Sequence, residues 1–281
     1  METLMCLHCG RLNESDAGDC RHCASPLPRG ERHRHSTVDD YAPPPQEFVP
    51  PFESAGDVLR PTLRLYKENF GLVAKIVLAA AVPASLFEYA LKFAGPQFWP
   101  YPLVFGTVAD VLMMCALTYA AYTYAVTGIN PTLAESYAAG VKSWPKAFVC
   151  YAATLLVVGV GLILFIAPGV YLSLLLALVV PLVVIEKTRI ADVFSQSVAL
   201  TKGFRLNIFN TYFISAFVLY GMNYLLTGSF LGALPEDMTG PLAVPVMLTL
   251  SLVESTVYVL PVFVYLGMQA RRAQLAAAGP A

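Results

Sequence analysis

The stretch that decides the fold runs from Ala147 to Ile185: AFVCYAATLLVVGVGLILFIAPGVYLSLLLALVVPLVVI. It holds no Asp, Glu, Lys or Arg over 39 positions. A bilayer core accepts roughly 20 apolar residues per helix, so the stretch is too long for one span and suits two. Ala167-Pro168-Gly169 interrupts it near the middle. Proline ends a helix and glycine permits a tight reversal, so the sequence predicts two spans, 147 to 166 and 168 to 185.

Working outward, four further apolar stretches have span length: 70 to 92, 103 to 127, 209 to 232 and 241 to 266. The expected fold is an all-α integral membrane protein of six transmembrane helices. Basic residues orient it, because Lys and Arg concentrate in short loops on the cytoplasmic side. With the N-terminus inside, Arg60, Arg64, Lys67, Lys75, Lys142, Lys146, Lys187, Arg189, Lys202, Arg205, Arg271 and Arg272 fall on the cytoplasmic side, and Lys92 alone outside. Both termini are then cytoplasmic, as expected of a multi-pass protein of the cytoplasmic (inner) membrane. Residues 1 to 55 contain no apolar run long enough for a secretory signal, which agrees.

A repeat accompanies the spans. Asp57-Val58-Leu59-Arg60-Pro61-Thr62-Leu63-Arg64-Leu65-Tyr66-Lys67 and Asp192-Val193-Phe194-Ser195-Gln196-Ser197-Val198-Ala199-Leu200-Thr201-Lys202 share Asp, Val, Leu and Lys at a constant offset of 135. Pro131 to Trp144 has the same character and aligns loosely. The pattern predicts three hairpins, each introduced by an amphipathic interfacial helix, over residues 56 to 270. Residues 271 to 281 form a short tail.

Composition agrees with a membrane protein, since 57% of the chain is hydrophobic and 13% charged, about half the charged share of an ordinary soluble domain. The charges crowd forward: five of 18 Lys and Arg and nine of 19 acids lie in the first 55 residues. The net charge of -1 offers no basic surface for phosphates and argues against a nucleic-acid partner.

Ahead of the membrane part, Cys6, Cys9, Cys20 and Cys23 form C-x2-C-x10-C-x2-C. Each C-x2-C can place two thiolates on one side of a turn, and two such turns complete the tetrahedral sulfur cage that zinc prefers. A pair of disulfides is the competing reading, disfavoured in a reducing cytoplasm. Four thiolates leave no open coordination position, so the Zn2+ is expected to be structural. His8 and His22, within the knuckles, read as surface residues. The tract, with Gly10, Asn13 and Ala17 between the cysteine pairs, resembles the short zinc-ribbon modules of many prokaryotic proteins. Residues 1 to 25 carry a net charge of -2, which favours a cytoplasmic protein partner over nucleic acid. Seven prolines between Pro26 and Phe52 predict an extended or disordered linker over 26 to 55.

The stretch Leu162 to Glu186, with Pro168-Gly169-Val170-Tyr171-Leu172 and Pro181-Leu182-Val183-Val184-Ile185-Glu186, and then Ser195 to Gly203, is similar to the membrane domain attached to some glycerophosphodiester phosphodiesterases. It is also similar to related six-span bacterial proteins of unassigned function. The resemblance covers roughly residues 56 to 270 and implies a helical membrane domain. It does not imply the hydrolase, whose chemistry belongs to a separate barrel for which this chain has no room.

Charged groups inside spans are functional candidates because burying them is expensive. Glu254, in the middle of the last expected span with Ser251, Ser255 and Thr256 near it, is the first candidate. Asp110 is the second, expected about two turns from the outer face. Either could serve a polar path or lock helices by hydrogen bonding. Glu88 and Lys92 read as an i,i+4 pair, and Cys115 and Cys150 as packing residues. No nucleophile-elbow, P-loop, dinucleotide or HExxH pattern occurs, so an enzyme is not expected.

These readings converge on a non-enzymatic membrane protein whose zinc ribbon binds or senses a cytoplasmic partner in addition to the lipid bilayer. The alternative is a transporter or lipid-handling protein with a lipid or small-molecule ligand near Glu254 and Asp110. A membrane enzyme of lipid metabolism is the weakest reading.

Overall fold

The computed structural model describes residues 3–5, 12–14, 49–91, 100–230 and 236–277. The chain divides into two compact units, Met1–Ala42 and Pro43–Ala281. In the first, strands β1 (Thr3–Met5) and β2 (Leu12–Glu14) pair antiparallel, with Leu4 opposite Asn13. Cys6, Cys9, Cys20 and Cys23 lie outside the described residues, as does most of the proline-rich linker.

The second unit is all-helical. Its elements are α1 (Ala55–Leu91), α2 (Pro100–Thr127), α3 (Leu133–Leu164), α4 (Ile166–Leu175), α5 (Val179–Val184), α6 (Ile190–Thr201), α7 (Arg205–Asn223), a π-helical segment (Tyr224–Phe230) and α8 (Glu236–Ala277). Five stretches are long and apolar enough to cross a membrane: Ala55–Phe87, Val104–Thr127, Leu133–Leu164, Ile166–Val184 and Leu248–Arg272. The place of the expected fifth span is taken by α7 and the π-helical segment, where Asn207, Asn210 and Asn223 dilute the apolar run.

The reversal in the deciding stretch falls at Phe165, earlier than the proline suggests. Phe165 alone is extended, at φ -161° and ψ 146°, closing α3 and opening α4. Pro168 then sits in the first turn of α4, where backbone N–H groups have no partner within the helix, and so begins a helix instead of ending one. The glycine serves close approach. A Cβ on Gly169 would come within 2.6 Å of the Leu162 backbone nitrogen, and one on Gly161 within 3.0 Å of the Gly169 Cα. The two arms therefore touch backbone to backbone, as small residues allow in membranes.

The interfacial helices are less separate than the repeat predicts. In α1 the expected boundary survives as a kink at Asn69, where φ is -126°. Between α6 and α7 it is a full break at Lys202-Gly203-Phe204, and the φ of +89° at Gly203 needs glycine. In α3 no break occurs, although Pro145 stands at the corresponding place.

Burial supports the repeat and brings its middle copy into register with the other two. Acidic residues occupy the first turns at Asp57, Glu135 and Asp192. The next residues, Val58, Ser136 and Val193, are all buried, as are the small residues one turn later, Thr62, Gly140 and Ser197. Two of these small residues meet a neighbouring helix: a Cβ on Gly140 would lie 3.3 Å from the Ala116 nitrogen, and Ser197 Oγ donates to the Leu175 carbonyl at 2.7 Å. That second bond satisfies a carbonyl freed where α4 ends.

Long-range bonds fix the helix directions. Tyr124 Oη donates to Glu68 Oε2 at 2.6 Å, and the rings of Phe87 and Phe105 lie 4.5 Å apart, so α1 and α2 run antiparallel. The first part of α1 runs antiparallel to α8, from the Phe52 N–H to Gly267 carbonyl bond of 3.1 Å to the Tyr66–Ser255 hydroxyl pair at 2.6 Å. The stretch expected to be linker is therefore shorter than the sequence implies. Val49 and Phe52 are buried, Phe52 stacks on Phe204 at 6.0 Å, and Glu53 pairs with Arg271 at 2.6 Å. Two apolar side chains among the prolines suffice to dock residues 49 to 54 onto the helices.

Candidate functional site

Asp110 belongs to α2 and Glu254 to α8, and the fold brings them within electrostatic range of each other. Both residues are exposed at the surface of the bundle. Neither is in an ion pair among the described residues. Tyr258, one turn after Glu254 on α8, and Tyr151, on α3, complete the group. Tyr258 interacts electrostatically with both carboxylates and Tyr151 with Asp110.

The place of this group follows from packing. Val111 is fully buried and begins the long buried run of α2, while Ser255, directly after Glu254, is fully buried and the rest of α8 as far as Arg271 is buried or half-buried. Each carboxylate thus occupies the last exposed position before its helix enters the core. Trp144 Nε1 donates to the Val108 carbonyl at 3.3 Å, which brings the part of α3 carrying Lys142 and Lys146 close to the turn of Asp110. Asp110 therefore stands nearer to the basic residues of α3 than an outer position in its span implies. The long α3 makes the difference, because it runs beside α2 without the break expected after Trp144.

The two tyrosines also wall a cavity of about 250 Å³ between α3, the α4–α5 junction and α8, together with Met114, Thr154, Ser173 and Pro261. Its lining is mostly apolar with a few hydroxyls, and two of these, on Tyr151 and Tyr258, belong to side chains that interact electrostatically with the acids. In a hydrocarbon setting a carboxylate must be neutral, hydrated or paired. The arrangement can accept a proton or a cation, or take hydrogen bonds from a hydroxylated ligand. Among the described residues no three His, Cys, Asp or Glu side chains converge to hold a metal ion.

Sequence reasoning singles out Asp110 and Glu254 and misses Tyr151 and Tyr258. For Tyr258 the signal is present, since a hydroxyl four residues after an intramembrane acid shares its helix face. For Tyr151 no local signal exists, because only the α2–α3 pairing brings it to Asp110. Cys115 and Cys150 are free and buried in apolar surroundings, as expected of packing residues. The side chain of Glu88 and all of Lys92 lie outside the described residues.

No family model, no curated protein and no solved structure matches the chain.

Proposed function

We propose that this is a multi-pass membrane protein that displays its N-terminal cysteine module as a docking head for a cytoplasmic protein. The reading rests on one observation above others, the division of the chain into a small N-terminal unit and a helical unit beginning at Pro43. The cysteine spacing gives the head its chemistry: four thiolates, one structural zinc and no open position for catalysis. Metal binding would supply the folding energy that a unit of this size lacks in hydrophobic core. Strands β1 and β2 lie on either side of the first cysteine pair, which suits a ribbon.

In the membrane, α7 with its π-helical extension is the sixth span, and the basic residues lie at the cytoplasmic face together with both termini. Single-cysteine labelling from either side at positions 35 and 275 tests that orientation, and exclusive labelling from outside would reverse it. The resemblance to phosphodiesterase-linked membrane domains fits this body and carries no hydrolase activity with it.

The decisive experiment is metal content and partner capture. The full chain and its Cys20→Ser/Cys23→Ser variant are purified in detergent, bound zinc is quantified and co-purifying proteins are compared. About one zinc per chain, lost in the variant together with a specific partner, supports docking. An unchanged partner set sinks it.

A second reading is favoured by the cavity beside Asp110 and Glu254. The protein would then carry or sense a hydroxylated or cationic small molecule at the border of the core. Glu254→Gln separates the two readings, because abolished function in that variant, with function retained after deletion of residues 1–47, points to the membrane site.

A further inference from the structure

A second cavity, of about 240 Å³, opens between α4 and α7, where Val170, Leu174, Phe209, Phe213 and Ala216 line it. Ser173 and Tyr212 add hydroxyls to this otherwise apolar lining. Arg205, first residue of α7, donates from Nη1 to Tyr171 Oη and stacks its guanidinium over the Tyr171 ring, 5.3 Å from the centroid. Tyr171 directly follows Val170, and Phe209 lies one turn beyond Arg205. The arginine and its tyrosine partner therefore lie within a turn of residues that line the cavity, without lining it themselves.

Two features of that arginine are unexplained by the fold. Its buried Nε has no hydrogen-bond acceptor among the described residues, and an unmade bond to a charged donor is expensive. The α7 N-terminus it occupies has no side-chain cap among the described residues, which leaves backbone N–H groups and the positive end of the helix dipole beside it. Other cations surround the α6–α7 junction. Lys202 is exposed at the end of α6, and Arg272 reaches the Ala199 carbonyl at 3.5 Å. Arg271 is already matched by Glu53. The excess positive charge asks for an anion, and the adjoining apolar cavity asks for a hydrocarbon.

We propose that Arg205, Tyr171 and the α4–α7 cavity form a binding site for one anionic phospholipid, with the phosphate at Arg205 and an acyl chain in the cavity. Arg205 supplies the planar donor set that suits a phosphate. Tyr171 holds the guanidinium in place by its hydroxyl and its ring. Neither the docking head nor the acidic pair takes part, so the site stands or falls apart from both readings above.

The test uses the full chain in detergent micelles doped with equal amounts of phosphatidylglycerol and phosphatidylcholine, with native mass spectrometry of the retained lipid. The expected result is preferential retention of phosphatidylglycerol. It should fall about tenfold or more in Arg205→Ala, in keeping with loss of a charge-assisted bond. Ala216→Phe, which fills the cavity and keeps every charge, should lose retention as well, while Lys142→Ala, a cation on α3, should keep it. Tyr171→Phe should weaken retention less than Arg205→Ala and covers the case in which that variant fails to fold. Equal retention of the two lipids, or an Arg205→Ala variant indistinguishable from Lys142→Ala, would overturn the proposal. Release of the lipid by excess inorganic phosphate would also overturn it, by marking a site for a free anion.

Discussion

The two ends of the helical bundle are built differently. Toward the end where α8 carries Arg271 and Arg272, side chains are buried against one another: Val58, Leu65 and Val73 of α1, most of Val111 to Leu117 of α2, Leu178 to Val184 around α5, and most of Val259 to Met268 of α8. Toward the opposite end α1 and α2 offer their apolar side chains outward. No described residue of α1 after Val77 is buried, and none of α2 before Val111. Phe217 of α7 is 74% exposed, and Ile163, at the α3–α4 reversal, 86%.

In water the second arrangement would collapse or aggregate, and in lipid it is a solvated surface. The first arrangement needs no lipid for its interior, because its side chains are already enclosed by protein. The difference teaches that hydropathy alone does not measure exposure to lipid: the apolar windows of α2, Ile166–Val184 and α8 are 50%, 44% and 56% buried, while those of α1 and α3 are 17%. Asp110 and Glu254 lie on the boundary between the two regimes, the place in the bundle where a polar group can meet both packed protein and its surroundings.

The comparison breaks first at the core. Leu260→Ala, at a fully buried position, should destabilise the protein by about 3 to 5 kcal/mol. Leu156→Ala, at a side chain 68% exposed on α3, should cost under about 1 kcal/mol. Reversible unfolding in mixed micelles measures both, and equal costs would erase the distinction between the two ends.

The reversal in the deciding stretch offers the next largest effect. Gly169→Ala would drive a methyl group into Leu162 and should cost about 1 to 3 kcal/mol. Gly159→Ala meets nothing within 4 Å and should be neutral or stabilising by up to about 1 kcal/mol. The same unfolding assay reads the pair, and a tolerant Gly169 would mean that the arms do not touch.

A smaller effect is expected where α1 meets α8. Tyr66→Phe removes the hydroxyl bond to Ser255 and should cost about 1 kcal/mol. Hydrogen exchange should then quicken in the first part of α1 before it does so in α2. Exchange that quickens everywhere together would show one cooperative unit in place of two regimes.

The smallest effect is expected at the boundary itself. Glu254→Gln should change stability by less than about 0.5 kcal/mol, since the residue is exposed and makes no ion pair among the described residues. A loss several times larger would make the carboxylate a lock between helices and remove it as a binding group.

Much of this architecture is legible in the order of the amino acids. The apolar runs announce the spans, Asn69 and Gly203 fall at the boundaries that the repeat marks, and the acids at Asp110 and Glu254 stand out against hydrocarbon neighbours. The differences have physical causes. Pro168 reads as a terminator, but the first turn of a helix tolerates proline as well as a loop does. The linker reads as longer than it is because a proline-rich composition hides two anchoring side chains, Val49 and Phe52.

The sequence by itself determined which stretches are apolar and which charges are anomalous, because these depend on local composition and spacing. Only the tertiary structure decided which apolar faces meet protein and which are left outward, and that Tyr151 of α3 stands beside Asp110 of α2. Those are pairings between residues distant in the chain, and a hydrophobic run carries the same free energy of transfer whether a neighbouring helix or a lipid tail receives it.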